Sequence, residues 1–171
     1  MYSGIVQAYS YYYLKFSKVK RFVIVGLDHY GIGFEISIFK KGYWETPLGK
    51  VEIDEELANE ILKEIKLEEN EKNFEYEHSI EVQLPFLQYL FKDFTFVPIM
   101  ISNQKLENAK SIANALRKVY EREKFVLITT SDLNHYEDYE TTKAKDKLVI
   151  DAIKKLDSLE LYSRILKYNI S

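Results

Sequence analysis

Phe125-Val126-Leu127-Ile128-Thr129-Thr130-Ser131-Asp132-Leu133-Asn134-His135-Tyr136 joins an apolar run to a polar exit carrying a carboxylate and an imidazole. Four consecutive apolar residues ending in small hydroxyl side chains read as a parallel strand buried on both faces. In open α/β sheets, ligands gather beyond the carboxyl ends of such strands. If one helical turn follows, Asp132 and His135 share a face and are placed for chemistry. The same spacing also fits an aspartate capping the next helix beside a surface histidine. Spacing alone does not separate the two.

Two further runs resemble this strand: Arg21-Phe22-Val23-Ile24-Val25-Gly26 and Phe94 to Ile101. Between them the pattern predicts a shorter strand, Phe34–Phe39, after a glycine-punctuated turn, Leu27 to Gly33. Tyr43 to Gly49, broken by Pro47 and Gly49, reads as a loop, and Lys50–Ile53 as extended. Asp54 caps a helix whose first turn is acidic and whose core stripe is Leu57, Ala58, Ile61, Leu62 and Ile65. Glu68–Asn73 reads as a solvated connection. Ile80, Leu84, Leu87 and Phe91 line another helix, bent or restarted at Pro85. Asn108–Tyr120 is an amphipathic helix. Residues 141–156 form a helix on Ala144, Leu148, Ala152 and Leu156, and Leu159–Tyr168 starts another. Near the start, Ile5, Tyr9, Tyr12 and Phe16 recur at helical spacing and predict a packed face. Tyr168-Asn169-Ile170-Ser171 shows no helix stop, and Met1-Tyr2-Ser3-Gly4 opens abruptly. Strands alternating with helices imply an α/β three-layer sandwich, its sheet largely parallel or mixed with helices on both faces. One domain, residues 1–171, is expected.

Composition narrows the function. The 171 residues are 46% hydrophobic and carry a formal net charge of -3, which excludes a disordered chain and gives no electrostatic case for nucleic acid. No apolar run is long enough for a transmembrane helix and no signal peptide is visible, so no membrane partner is expected and cytoplasm is the expected compartment. Cysteine is absent, which removes disulfides, thiolate ligands and a cysteine nucleophile. The Lys/Glu-rich, cysteine-free composition accords with a heat-adapted source. Fourteen tyrosines and ten phenylalanines imply broad amphipathic surface against a sheet or partner, because no basic residues interleave them as a base-stacking platform would need.

Only three histidines exist, His29, His78 and His135. Each sits just past a strand or at a helix entrance, with Asp28, Glu77 or Asp132 close in sequence. Neutral imidazole is the commonest metal ligand, and a carboxylate neighbour sets its tautomer. Two histidines and a carboxylate suit non-haem iron, while the same groups could serve as general acid and base without metal. No dinucleotide fingerprint, P-loop or nucleophile elbow is present. Trp44-Glu45-Thr46-Pro47-Leu48-Gly49 reads as a rigid loop with an aromatic anchor, either structural or the rim of a binding site.

Three strings in order, Trp44 to Gly49, Tyr76-Glu77-His78-Ser79-Ile80-Glu81-Val82-Gln83-Leu84-Pro85-Phe86-Leu87-Gln88, and Ser131-Asp132-Leu133-Asn134-His135-Tyr136, resemble the Memo family. Its archaeal and bacterial members are labelled AmmeMemoRadiSam system protein B, and its eukaryotic members are named as mediators of receptor-driven cell motility. The resemblance covers nearly the whole chain. It implies a fold like the LigB-type class III extradiol dioxygenases, which hold Fe(II) with two histidines and a glutamate. His29 falls on the first histidine of the family's Gly-Pro-Asn/Ser-His-His turn, a metal-ligand position, with Leu27 in place of the proline and Tyr30 in place of the second histidine. Asp132 and His135 match the family's cleft-lining Ser-Asp-Phe-x-His pair, and His78 matches its Glu-His-Ser-Ile-Glu element. Tyr2-Ser3-Gly4 resembles the tail of a Pro-His-Ala-Gly-Tyr segment that brings a second metal-site histidine. A downstream Cys-Gly element carries the third ligand, and Lys167–Ser171 stops short of it. The expectation is therefore a Memo-like domain lacking its N- and C-terminal segments.

The resemblance implies a cleft formed by His29, Asp132 and His135 for a divalent metal, iron or copper, or a small ligand, with non-haem redox chemistry and an unassigned reaction. His29 and His135 are the expected metal ligands. His135, oriented by Asp132 and accompanied by His78, is the expected catalytic group. The alternative is a non-catalytic binding module, whose phosphotyrosine-peptide type of cleft lacks a neighbouring arginine here because only Arg21, Arg117, Arg122 and Arg164 exist. An inactive truncated remnant, completed by a partner fragment or a second copy, is the third reading.

Overall fold

The computed structural model describes residues 4–31 and 35–170. The chain forms two compact units, Met1–Thr130 and Ser131–Ser171. In the first, α1 (Gly4–Tyr12) leads through a 3-10 turn to β1 (Arg21–Leu27). There follow β2 (Ile36–Ile38), β3 (Tyr43–Thr46), β4 (Gly49–Ile53), α2 (Glu55–Glu64) and β5 (Glu68–Glu69). Then come α3 (Leu84–Leu90), β6 (Thr95–Ile101), α4 (Leu106–Arg122) and β7 (Val126–Thr129).

The sheet runs β3-β4-β6-β1-β7, with β2 also on β6 and β5 on β2. β1 is parallel to both β6 and β7, and β4 is parallel to β6. Only the β3–β4 hairpin and the β2–β6 pair are antiparallel. The sheet is thus mixed and mostly parallel, as the strand–helix alternation requires. Alternation along β1 makes the three layers. Phe22 and Ile24 join Leu84, Leu87 and Phe91 beside α3, while Val23 and Val25 join Leu57, Ile61, Leu116 and Val119 beneath α2 and α4. Phe22, Ile24, Leu57, Ile61 and Phe96 are fully buried, each stabilising by roughly 1.5–3 kcal/mol.

At the amino end of β1, Arg21 grips Asp54 bidentately, at 2.6 and 2.8 Å, and reaches Glu123 at 2.8 Å. Asp54 also accepts from the Leu57 backbone N–H at 3.0 Å and the Thr95 hydroxyl at 2.7 Å. One carboxylate thus caps α2 and ties β1, β6 and α2 together. Burial pushes the Asp54 carboxyl up, but Arg21, the Leu57 N–H and Thr95 together hold it below the usual aspartate range.

Several expectations needed correction. Tyr43–Gly49 is a hairpin rather than a loop: Thr46 pairs with Gly49 around Pro47-Leu48, with Gly49 at φ 117°. Pro47 and Gly49 are turn residues that close two strands. Within Glu68–Asn73 lie β5 and the start of a 3-10 turn, and Asn73 is buried, donating to Ser37 Oγ at 2.9 Å. The helix at the start buries Tyr11, stacked on Phe86 at 5.0 Å and donating to Gln83 Oε1 at 2.7 Å. Ile5, Tyr9, Tyr12 and Phe16 are its exposed face, because a stretch apolar all round offers no periodic signal for which side packs. The Phe34–Phe39 strand is seen as β2, and Pro85 falls in the first turn of α3 and marks its start. Phe34, with Ile32 and Gly33 of the predicted turn and Met1-Tyr2-Ser3 at the start, lies outside the described residues.

The second unit holds a loop and two packed helices, α5 (Tyr139–Lys154) and α6 (Ser158–Tyr168), capped by Asp138 and Asp157. The buried stripe of α5 is Val149 and Ala152; Leu156 is exposed, beyond the helix end at φ 56°. Asn169, left-handed at φ 48°, stops α6, so the expectation of a missing stop overlooked an asparagine signal. Among the described residues no helix is long and apolar enough to cross a membrane.

Asp54→Ala removes both the cap and the arginine's partner. It should cost about 2–4 kcal/mol, read as a lower urea midpoint at unchanged slope.

Candidate metal centre

The parallel strands end on one edge, where β1 lies between β6 and β7 and the order of strand addition reverses. There Asp28 shapes the exit. Its backbone N–H donates to the Ile101 carbonyl at 3.1 Å. Oδ1 accepts from the Tyr30 and Gly31 N–H groups at 3.0 and 2.8 Å, and Oδ2 from the Ser102 hydroxyl at 2.7 Å. This Asx turn sets His29 at the tip of the central strand.

The segment before α3 packs over that tip through Gly26. A Cβ on residue 26 would lie 2.5 Å from Ser79 Oγ and 2.6 Å from Ile80 Cγ1, so only glycine admits the contact. Ser79 then donates to the Leu27 carbonyl at 2.9 Å, and Ile80 is buried. Glu77 arrives beside His29 with its side chain only 2% exposed. Oε2 accepts the His29 backbone N–H at 2.7 Å. Oε1 lies 2.8 Å from His29 Nδ1 and accepts the His78 and Ser79 backbone N–H groups at 2.8 Å each. Burial pushes the Glu77 carboxyl up. The His29 and Ser79 backbone N–H groups, helped by the imidazole and the His78 N–H, outweigh it and hold the carboxyl below the usual glutamate range.

An ionised carboxylate only accepts, so Nδ1 of His29 carries the proton and Nε2 the lone pair when the ring is neutral. The His29 and His78 rings stack at 4.6 Å. Ligand atoms of His29, Glu77 and His78 all lie within 4.8 Å of one another. Neighbouring ligands on an ion with bonds of about 2.1 Å stand roughly 3 Å apart. A modest rotation of His78, whose side chain is 55% exposed, would close that gap. The donor set fits a divalent ion. Three N–H groups converge on Oε1 of Glu77 and one on Oε2, so the carboxylate orients His29 and supplies charge, with acceptor capacity left on Oε2.

Of the sequence-expected residues, His29 and His78 come together in the first unit, around Glu77. Asp132 and His135 meet in the second, with His135 Nε2 3.3 Å from Asp132 Oδ2. No helical turn joins them. The loop holds Leu133 and Tyr136 at φ 63° and 58°, sparsely populated for such side chains and costing of order 1–3 kcal/mol each. Asn134, buried between them, donates its side-chain amide to Glu137 at 2.7 Å and its backbone N–H to Asp146 Oδ1 at 3.0 Å. The helix cap is Asp138, so the alternative reading of Asp132 as that cap does not hold.

Glu77 is the residue missed. It was visible only as the neighbour of His78, and His29 was matched with Asp28, which instead builds the turn.

A family described as "Memo-like protein" matches residues 1–171. The chain belongs to the Memo-like family. It is 45% identical over 175 residues to a "MEMO1 family protein" of Caldivirga maquilingensis, across 100% of this chain and 62% of that protein. It is 45% identical over 176 residues to a relative in Pyrobaculum aerophilum, again across 100% of this chain and 62% of the relative. A Thermotoga neapolitana relative is 43% identical over 174 residues, across 100% of this chain and 63% of its own length. The chain therefore spans about three fifths of the curated relatives it matches.

Two substitutions probe this centre. Gly26→Ala should displace Ser79 and Ile80 and cost about 1–3 kcal/mol, seen as a lower melting temperature and as changed His29 and His78 ring resonances in NMR. Glu77's folded pKa lies below its unfolded value of 4.5, so its stabilisation is complete above that value and fades as pH falls through the folded one. Glu77→Gln should therefore cost stability at neutral pH and lessen the loss as pH falls below 4.5, measured by urea titration across pH.

Proposed function

We propose that this chain carries a divalent-metal site of the Memo-like family centred on His29 and His78, suited to iron or copper redox chemistry. One observation supports the reading most: an ionised, nearly sealed Glu77 holds the Nδ1–H of a histidine at the carboxyl end of the central strand. That is the carboxylate–histidine arrangement that fixes tautomer and basicity in metal centres. When bound, the ion supplies Lewis-acid or one-electron chemistry. The chain's own part is to present the Nε2 lone pair of His29, to place His78 against it, and to offset the ion's charge with Glu77. His135, with Asp132 to orient it, is the acid–base group of the second unit.

The phosphotyrosine-binding alternative has less support. Arg21, Arg117, Arg122 and Arg164 each pair with glutamate or aspartate, so capturing a phosphate would first require breaking an ion pair.

Titration with Co²⁺ under anaerobic conditions, read by visible absorption and by elemental analysis after dialysis, tests the metal reading. About one ion per chain is expected, with affinity falling at least tenfold in His29→Ala and roughly 10–100-fold in Glu77→Gln. Equal metal content in wild type and His29→Ala would remove it. His135→Ala in the same titration decides whether that histidine ligates or serves only as acid–base group.

A further inference from the structure

The Trp44–Gly49 string has no part in the metal centre. Its tryptophan lines a separate pocket of about 250 Å³, bounded by β3, the residues after β2, and the segments either side of His78. Three rings build its wall. Trp44 meets Phe39 at 5.8 Å and Phe74 at 5.8 Å, both edge-to-face, and Phe39 meets Phe74 at 5.8 Å and 90°. Trp44 and Phe39 stay partly open to solvent. Around these rings stand the exposed carboxylates of Glu45, Glu71, Glu75 and Glu81, and no lysine or arginine lines the pocket. Among the described residues, none of these glutamates forms an ion pair.

We propose that this pocket binds a small organic ammonium ion. Aromatic faces attract a cation through the ring quadrupole and contact its methyl or methylene groups. The surrounding carboxylates draw the positive head in and repel phosphates and carboxylic acids. The size agrees: the pocket falls just below the range of about 300–1,000 Å³ for drug-sized ligands, so it takes a head group rather than a nucleotide. A strongly hydrated inorganic cation would gain from the carboxylates but not from the rings. The rings also pack on the core. Among the described residues, the only glutamate on their open side that faces a lysine is Glu45, with Lys50 across the hairpin, so a cation entering the pocket would relieve the repulsion among the others.

Trp44 is the only tryptophan in the chain, so its fluorescence reports this pocket alone. Choline and putrescine, carrying quaternary and primary ammonium groups, are titrated into the intact protein. Controls are 3,3-dimethyl-1-butanol, the uncharged counterpart of choline, and MgCl₂ at matched ionic strength. A saturable fluorescence change with either amine, absent with both controls, is expected. Combining Glu71→Gln, Glu75→Gln and Glu81→Gln should weaken it at least tenfold, while His29→Ala leaves it unchanged. Far-UV circular dichroism confirms the fold of the triple variant, whose substituted side chains are all exposed. No saturable change with either amine overturns the proposal. So does an equal change with the neutral alcohol, which would mean an apolar pocket indifferent to charge, or with Mg²⁺, which would mean a carboxylate–metal site. Undiminished binding by the folded triple variant overturns it as well.

Discussion

The site exists because residue 26 has no side chain. With a methyl group there, Ser79 and Ile80 would have to shift from the end of β1, and they flank the segment that brings Glu77 to His29. Each later feature follows from this approach. Ser79 fastens the segment to the Leu27 carbonyl, Ile80 buries its side chain, and the carboxylate between His29 and His78 is closed off from water. A glycine near the carboxyl end of a buried strand is therefore a positional requirement here, set by backbone proximity and not by turn geometry.

The two ends of β1 use carboxylates in opposite ways. At the amino end Asp54 faces a guanidinium bidentately, so its charge is matched and the pair serves stability. At the carboxyl end Glu77 meets three backbone N–H groups and one imidazole. Those dipoles keep it ionised without supplying a guanidinium or ammonium to cancel it. The His29 imidazole lies against that charge with its Nδ1 held by Glu77, which fixes its tautomer. The first arrangement matches charge with charge, and the second holds an ionised carboxylate with dipoles and an imidazole.

What could be read from the sequence divides along the same physical line. β1 and β6 were legible because strands with two buried faces are written as unbroken apolar runs, and their alternation with helices forced a three-layer α/β sheet. β7 was found as a strand, but it is the edge of the sheet with Leu127 exposed rather than buried on both faces as its apolar run implied. Asp54 and the acidic turn after it were legible because capping is local. β3 and β5 were not: both are short edge strands, β5 is two exposed glutamates, and β3 holds only Trp44 and Thr46 half-buried and runs into Pro47 and Gly49, which read as loop punctuation. The face of α1 was misread because apolar residues occupy several of its sides, and only Phe86 and Gln83, far along the chain, select Tyr11. The partner of His29 was hidden for the same reason. It lies 48 residues away, while the adjacent Asp28 satisfied the expectation and was needed elsewhere.

The loop around His135 follows a different logic. Two bulky residues in left-handed conformations flank a buried asparagine, and each would relax if the loop were only a connection. They persist because Asn134 is held from Asp146, Glu137 and Thr142, all within the same unit. The cost of the strain is offset by hydrogen bonds from Asn134 to Asp146 and Thr142, which fasten the loop to α5, whose own cap is Asp138. Asn134 alone carries the packing of the loop, since Tyr136 is fully exposed and Asp132 and His135 are both partly solvated. What accompanies the strain is the approach of an imidazole to a carboxylate, 3.3 Å apart, without a helix to set their spacing.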